Sequence, residues 1–272
     1  MTELLKRSIS GLVFVALPVF SLYAGAVWFL AFLAVCSFIA AVEYVRLHRL
    51  KNKKTGNFLI SATPVFWTAV ILAQLNLVPI HVLTGALLAL VFIVLTLTLL
   101  SKNGSPADDV QTIFFGIVYT QLTFYSFYLF GNRAGFFNAD IILFVLLLIW
   151  INDTFAYLSG KSFGKNKLHE SLSPGKTWEG TGGGAVFALG SAFLLSKFVF
   201  GFEGSIWIFV GIIASIFATV GDLFESALKR RAGVKDAGNL IPGHGGVLDR
   251  FDAALFAVPA CWAFIELFEG LI

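Results

Sequence analysis

Charge is what this sequence has least of. Only 13% of its 272 residues are Asp, Glu, Lys or Arg, against the ~25% usual in a soluble domain, while 58% are hydrophobic. So few ionic groups cannot cover a globular surface, so lipid must solvate most of the chain. Cysteine is nearly absent too: Cys36 and Cys261 sit alone inside apolar runs. That excludes a disulfide framework and a thiolate metal site, and points to packing. Internal repeats, low-complexity tracts and any stretch polar enough for a soluble domain are also missing. With a formal net charge of only +3, where the charges lie says more than their sum, and no nucleic-acid partner is expected.

What is there is apolar length. A hydrocarbon core of ~30 Å needs about 20 mostly apolar helical residues to cross it. Windows of that size fall at approximately 9–24, 26–47, 58–75, 79–100, 111–131, 139–159, 181–200, 205–225 and 250–269. The expected fold class is therefore an all-α integral membrane protein, a polytopic bundle of about nine transmembrane helices. Lys6 and Arg7 ahead of the first run imitate a signal peptide. The second span follows almost at once without a convincing small-residue cleavage site, so the first is expected to be retained. With the N-terminus in the cytoplasm, every Lys and Arg except Arg133 and Lys197 falls on the cytoplasmic side, as the positive-inside rule asks. The expected division is residues 1–136, N-terminal transmembrane helices, and 137–272, a catalytic transmembrane region with two long cytoplasmic segments.

Those segments, Gly160–Gly180 and Ser226–Asp249, are rich in glycine, lysine and polar side chains, and long loops in an otherwise economical chain are candidates for function. By contrast, the basic stretch from Arg46 to Asn57 reads as an anchor on anionic headgroups. Ser101–Asp109 reads as a solvated turn, and His48, His81 and His169 as surface residues.

The carboxylates beside the two segments form a pattern. Asp222, Ser226 and Lys229 follow i, i+4, i+7 and share one helix face. Asp249 and Asp252 are i, i+3 on the expected first turn of the ninth span, and Asp153 lies one to two turns before the end of the sixth. Four carboxylates from three helices are thus expected at one membrane level. Charged groups within spans usually face a bundle interior or wet cavity, and oxygen donors of this kind suit Mg²⁺. A plainer account makes each a helix-end charge serving the helix dipole; it leaves three spans and the intervening His244-Gly245-Gly246 unexplained. The basic group Lys229, Arg230, Arg231 and Lys235 is either a lipid-surface patch or a grip on polyphosphate. The glycine-rich run Pro242–Gly246 lets backbone amides approach an anion. In the other segment Lys161, Lys165, Lys167 and Lys176 bring positive charge, and Ser173–Thr177 is expected as a compact polar turn. Ser173 or Thr177 would cap the following helix, and Gly180 and Gly182–Gly184 would allow close helix approach. The spacing G-x-x-x-x-G-K-[ST] is absent, which excludes a P-loop.

These segments resemble the phosphatidate cytidylyltransferase (CDP-diacylglycerol synthase) family. The family pattern of Ser-x-apolar-Lys-Arg, Lys-Asp, an apolar-Pro turn, His-Gly-Gly and Asp-Arg-x-Asp is met throughout Ser226–Asp252 as SALKR, KD, IPG, HGG and DRFD. Asp153–Gly164 and Ser173–Gly180 are also similar to family sequences; the N-terminal spans resemble them only in hydropathy. The resemblance implies a membrane enzyme that condenses CTP with phosphatidic acid to CDP-diacylglycerol and pyrophosphate. It further implies an Mg²⁺ requirement, with room for a second, monovalent or divalent, cation, and a homodimer. It places the protein among membrane lipids of a bacterial inner membrane, with its active site facing the cytoplasm.

On that basis Asp222 and Asp249 are assigned to Mg²⁺, with Asp252 and Asp153 as supporting or second-ion groups. Lys229, Arg230 and Lys235 would hold the triphosphate, Ser226 and His244 would orient phosphate oxygens, His244 alternatively donating a proton late in the reaction, and Lys176 would contact the lipid phosphate. Asp236 and Arg250 enter the catalytic set with the motif, and Lys161, Ser173, Thr177, Gly245 and Gly246 the substrate-binding set. Two readings compete. A CTP-dependent polyprenol kinase or an archaeal lipid cytidylyltransferase keeps the chemistry and changes the acceptor. A transporter would explain intramembrane aspartates, but its site is expected near mid-membrane and the carboxylates here gather at one end.

Overall fold

The computed structural model describes residues 3–48, 53–79, 81–82, 85, 96, 106–133, 136–240 and 245–268. The chain is an all-α membrane protein. Among the described residues, six helices are long and apolar enough to cross a bilayer: Ala26–Leu47, Gly56–Gln74, Val110–Gly131, Ala139–Phe163, Trp178–Phe200 and Ile206–Ala232. They match the second, third and fifth to eighth expected spans. The first and ninth correspond to the shorter apolar helices Gly11–Ala24 and Ala254–Phe268, and most of the fourth lies outside the described residues. A 22-residue helix is about 33 Å long, close to the hydrocarbon thickness.

The chain forms two compact units. The first comprises residues 1–125 and 236–248. Its helices are α1 (Glu3–Ala24), α2 (Ala26–Leu47), α3 (Lys53–Gln74) and α4 (Pro106–Ile117), which continues through a π-helical turn, Val118–Leu122. That turn carries Gln121 into the interior, where its amide oxygen accepts from Ser37 Oγ (2.8 Å) and Trp67 Nε1 (3.1 Å), and its nitrogen donates to Thr63 Oγ1 (2.8 Å). Three helices are thereby tied by one fully used amide, which is how buried polar groups are kept in an apolar medium.

The second unit comprises residues 126–235 and 249–272. After α5 (Thr123–Gly131) and a two-residue pairing of β1 (Asn132–Arg133) with β2 (Phe136–Phe137), α6 runs Ala139–Phe163. The segment expected as a loop folds into an antiparallel hairpin, β3 (Lys167–His169) with β4 (Ser173–Thr177), so Ser173–Thr177 is a strand rather than a turn. Glu179 secures the base of this hairpin by accepting from the amides of Lys165 (3.1 Å) and Asn166 (3.2 Å). Thr177 caps α7 (Trp178–Leu195) by accepting from the Gly180 amide at 3.1 Å. Helix α8 (Ile206–Ala232) runs about two turns past the apolar window that ends at residue 225, carrying Ser226 and Lys229 as their spacing requires, and Lys229, Arg230 and Arg231 favour its C-terminal dipole. It stops at Gly233 (φ 70°), whose left-handed backbone closes the last turn: Gly233 N–H bonds Arg230 O and Val234 N–H bonds Lys229 O.

The ninth expected span begins in two pieces. A single turn, α9 (Leu248–Phe251), precedes a break, and α10 follows at Ala254–Phe268. Asp252 thus lies in the break, where its own Oδ1 accepts from the Ala253 amide at 2.8 Å, rather than on one continuous first turn with Asp249. Both cysteines are buried free thiols, as expected of packing residues.

Helices α6 and α7 meet backbone to backbone at the glycines. A Cβ on Gly184 would lie 2.6 Å from the Asn152 carbonyl oxygen, whereas one on Gly182 would meet nothing within 4 Å; of the expected close-approach glycines, Gly182 is therefore open. Because backbone cannot step aside, Gly184→Ala is expected to lower stability by about 1–3 kcal/mol, with Gly182→Ala near neutral. Thermal unfolding of the two variants in detergent checks this, and equal melting temperatures would contradict it.

Candidate active site

The second unit gathers most of the charged residues singled out above. Lys176, at the end of β4, forms an ion pair with Asp222 on α8, with side chains 27% and 33% exposed. One turn on, Ser226 Oγ donates to Asp222 Oδ1 at 3.4 Å. One further turn on, Lys229 donates to Asp249 Oδ1 at 2.8 Å and pairs with Glu225. The i, i+4, i+7 face read from the sequence is therefore real, and it is laid against the first residues of α9.

Burial distinguishes the two pairs. Glu225 is 0% exposed, Asp249 5% and Lys229 14%, so this trio is withdrawn from solvent. Neither Glu225 oxygen receives a well-aligned hydrogen bond among the described residues, which leaves the Lys229 ammonium as its compensating charge. Asp252 stands within electrostatic reach of Asp222, Asp153 and Lys229. Asp153, whose Oδ1 accepts from Asn152 Nδ2 at 3.3 Å, feels Lys176 and Asp222. Carboxylates from α6, α8, α9 and the α9–α10 break thus form one electrostatic group, with two lysines threaded through it. Among the described residues, no three Asp, Glu, His or Cys side chains close on a single point as a metal cage would.

Other expected residues are placed less centrally. Arg230 is exposed and donates to the Leu172 carbonyl of the β-hairpin at 3.4 Å, pinning hairpin to helix. Lys161, at the end of α6, and Lys235, just after α8, are exposed, as is Arg250. Ser173 and Thr177 hold positions in β4, with Thr177 used as the helix cap. Asp236, Gly245 and Gly246 belong to the first unit, and His244 lies outside the described residues.

Three residues were passed over. Glu225, beside Ser226 on α8, is not among the residues assigned a role from the sequence, yet it is buried and paired with Lys229. Asn152, 2% exposed, bridges Asp153 to Ser215 on α8, accepting from Ser215 Oγ at 2.7 Å; nothing in an apolar run marks one amide for that task. Glu43, 2% exposed in α2, did carry a signal. An acid within an apolar span costs enough to be retained for a reason.

Removing one partner of a buried ion pair costs about 3–5 kcal/mol because the other charge is stranded. Lys229→Ala is accordingly expected to unfold at markedly lower temperature, and Glu225→Gln in the same background to restore most of the loss. Melting curves of the single and double variants decide this. A double variant no more stable than Lys229→Ala would show that Glu225 is not what Lys229 neutralises.

Residues 5–268 match the cytidylyltransferase family. Similar proteins include the phosphatidate cytidylyltransferase of Staphylococcus aureus (strain COL), 42% identical over 176 residues, which are 64% of this chain and 66% of that protein. That of Staphylococcus haemolyticus (strain JCSC1435) is also 42% identical over 176 residues, again 64% and 66%. The chain thus spans about two thirds of the length of these staphylococcal relatives. The phosphatidate cytidylyltransferase of Bacillus subtilis (strain 168) is 31% identical over 272 residues, 99% of this chain and 100% of that protein. A match over nearly the whole length, on a chain whose charges gather where the motifs lie, makes this chain a member of the cytidylyltransferase family.

Proposed function

We propose that the protein is a phosphatidate cytidylyltransferase, condensing CTP with phosphatidic acid to give CDP-diacylglycerol and pyrophosphate. The observation that carries this reading is the lattice of Lys176–Asp222 and Glu225–Lys229–Asp249 at the end of α8. It offers both signs of charge to a reaction whose reactants are two phosphates and whose leaving group is a third. The phosphatidate relatives and the family match support the same activity. In this reading the enzyme works at the cytoplasmic face of a bacterial inner membrane, as a homodimer, with lipid entering sideways and nucleotide arriving from water.

An ionised phosphate monoester is already a nucleophile, so the protein needs no strong general base. A phosphatidate oxygen attacks the α-phosphorus of CTP in line, that P–O bond forms, and the bond to the β-phosphate oxygen breaks to release pyrophosphate. The residues position the two phosphates and offset charge as it moves to the leaving group. Lys229, Arg230 and Lys235 hold the triphosphate, with Lys176 on the lipid phosphate; Ser226 and His244 orient phosphate oxygens. Gly245 and Gly246 allow close backbone approach, and Lys161, Ser173, Thr177, Asp236 and Arg250 complete the binding surfaces. The donor set suits Mg²⁺: all-oxygen carboxylates, too few on any one point to cage an ion alone. That is the ordinary situation of a cation held by one or two carboxylates plus substrate phosphates and water. Asp222 and Asp249 would hold it, Asp252 and Asp153 supporting or taking a second ion. When bound, it would neutralise phosphate charge as a Lewis acid. Lys176 and Lys229 supply counter-charge to those same aspartates, so binding of the two substrates would exchange partners: phosphate for carboxylate on the lysines.

Purified protein given labelled CTP, phosphatidate and Mg²⁺ is expected to release pyrophosphate and liponucleotide in equal amounts. Release of CDP with a phosphorylated lipid would instead indicate a kinase, and proton flux in vesicles without CTP a transporter. Asp249→Asn is expected to lose turnover by about a hundredfold or more while keeping its fold. Near-normal activity of that variant at saturating Mg²⁺ would overturn the metal assignment.

A further inference from the structure

Glu43 lies one turn before the end of α2, and its carboxylate is almost wholly buried. Its Oε1 accepts from the Val247 amide at 3.1 Å and its Oε2 from the Leu248 amide at 2.9 Å. These amides lead into α9, where the first turn leaves N–H groups without intrahelical acceptors. Gly238 and Gly246 close on the same carboxylate: a Cβ built on either would overlap it. Residues 238 and 246–248 therefore form a socket of bare backbone around one side chain from a distant helix.

The socket is specific for a carboxylate. Two acceptor oxygens side by side satisfy two N–H groups at once, whereas glutamine would replace one acceptor with an NH₂ that faces an amide donor. A buried acid in an apolar helix is costly unless its hydrogen bonds are made, so packing alone gives no reason to keep one here. The held amides give the reason, because Leu248 is followed directly by Asp249 within the single turn Leu248–Phe251.

We propose that Glu43 is a positioning residue for the reaction: by holding the Val247 and Leu248 amides it sets where that turn begins, and hence where Asp249 is presented. The inference rests on the cytidylyltransferase reading and on the role given there to Asp249. It assigns to the N-terminal half of the chain, which carries none of the motifs, a direct hold on the motif segment.

The test uses full-length protein in lipid nanodiscs, with wild type assayed in parallel. Glu43→Gln is expected to lower kcat on the order of a hundredfold, the scale on which small misplacements act, with KM for CTP near wild type and the melting temperature little changed. Glu43→Asp, which keeps both oxygens on a shorter stem, should recover part of the rate. Hydrogen exchange in the peptide covering 245–250 should quicken in Glu43→Gln. Gly238→Ala, which pushes the carboxylate aside without removing it, should reproduce both effects and carries the test should Glu43→Gln fail to fold. Wild-type kcat in Glu43→Gln, loss of rate with unchanged exchange, or loss that simply follows the melting temperature would each overturn the proposal. Absence of turnover in the wild type would overturn the cytidylyltransferase reading instead, leaving the exchange measurement to decide whether Glu43 holds the segment.

Discussion

A lysine held between two carboxylates, in a chain with little charge, is the constraint on which this structure turns. Lys229, Glu225 and Asp249 are each nearly withdrawn from solvent, and isolated buried charges cost several kcal/mol apiece. Each is therefore costly to bury without a partner among the other two. The helix bearing Lys229 and Glu225 runs on beyond its apolar length to meet α9, and the single turn of α9 carries Asp249. The Lys176–Asp222 pair repeats the arrangement one to two turns away, with Ser226 between. Such a lattice is poor as a stabiliser, because hydrophobic replacements often serve stability as well or better. In the proposed reaction its value would lie in presenting fixed charge of both signs to phosphate.

The rest of the second unit serves that presentation. Glycines let α6 and α7 approach to backbone contact, which brings Asn152 and Asp153 beside α8. The β-hairpin is fastened at its base by Glu179, along its length by Lys167 Nζ on the Pro174 carbonyl (2.6 Å), and to α8 by Arg230. Lys176 is thus offered from a fastened strand rather than from a free loop, and precision of that kind is what positioning catalysis asks for.

Much of this was legible in the sequence, for physical reasons that differ by element. Hydropathy locates spans because lipid demands apolar length, and among the described residues six of the expected windows return as helices long and apolar enough to cross. The α8 charge face was legible because helical periodicity alone puts Asp222, Ser226 and Lys229 together. The hairpin was not, since Ser173-Pro174-Gly175-Lys176-Thr177 carries turn residues, and its pairing with β3, fastened by Glu179, Lys167 and Arg230, is what makes it a strand. The break at Asp252 was equally hidden, because its side chain takes the amide that continuous helix would have used. Glu43 was overlooked although a single acid in an apolar span is itself a signal. Its partners are backbone amides two hundred residues away, and no pattern of side chains announces them.

In the proposed reaction Asp222 on α8 and Asp249 on α9 would hold a divalent cation in place of their lysine partners once nucleotide phosphate is bound. Equilibrium dialysis of Mn²⁺ against the protein in nanodiscs, with and without CTP, tests this most directly. The account predicts weak uptake by the protein alone, strong uptake with CTP present, and loss of the CTP-dependent part in Asp222→Asn. Mn²⁺ uptake that is indifferent to CTP, or equal in Asp222→Asn and the wild type, would contradict it.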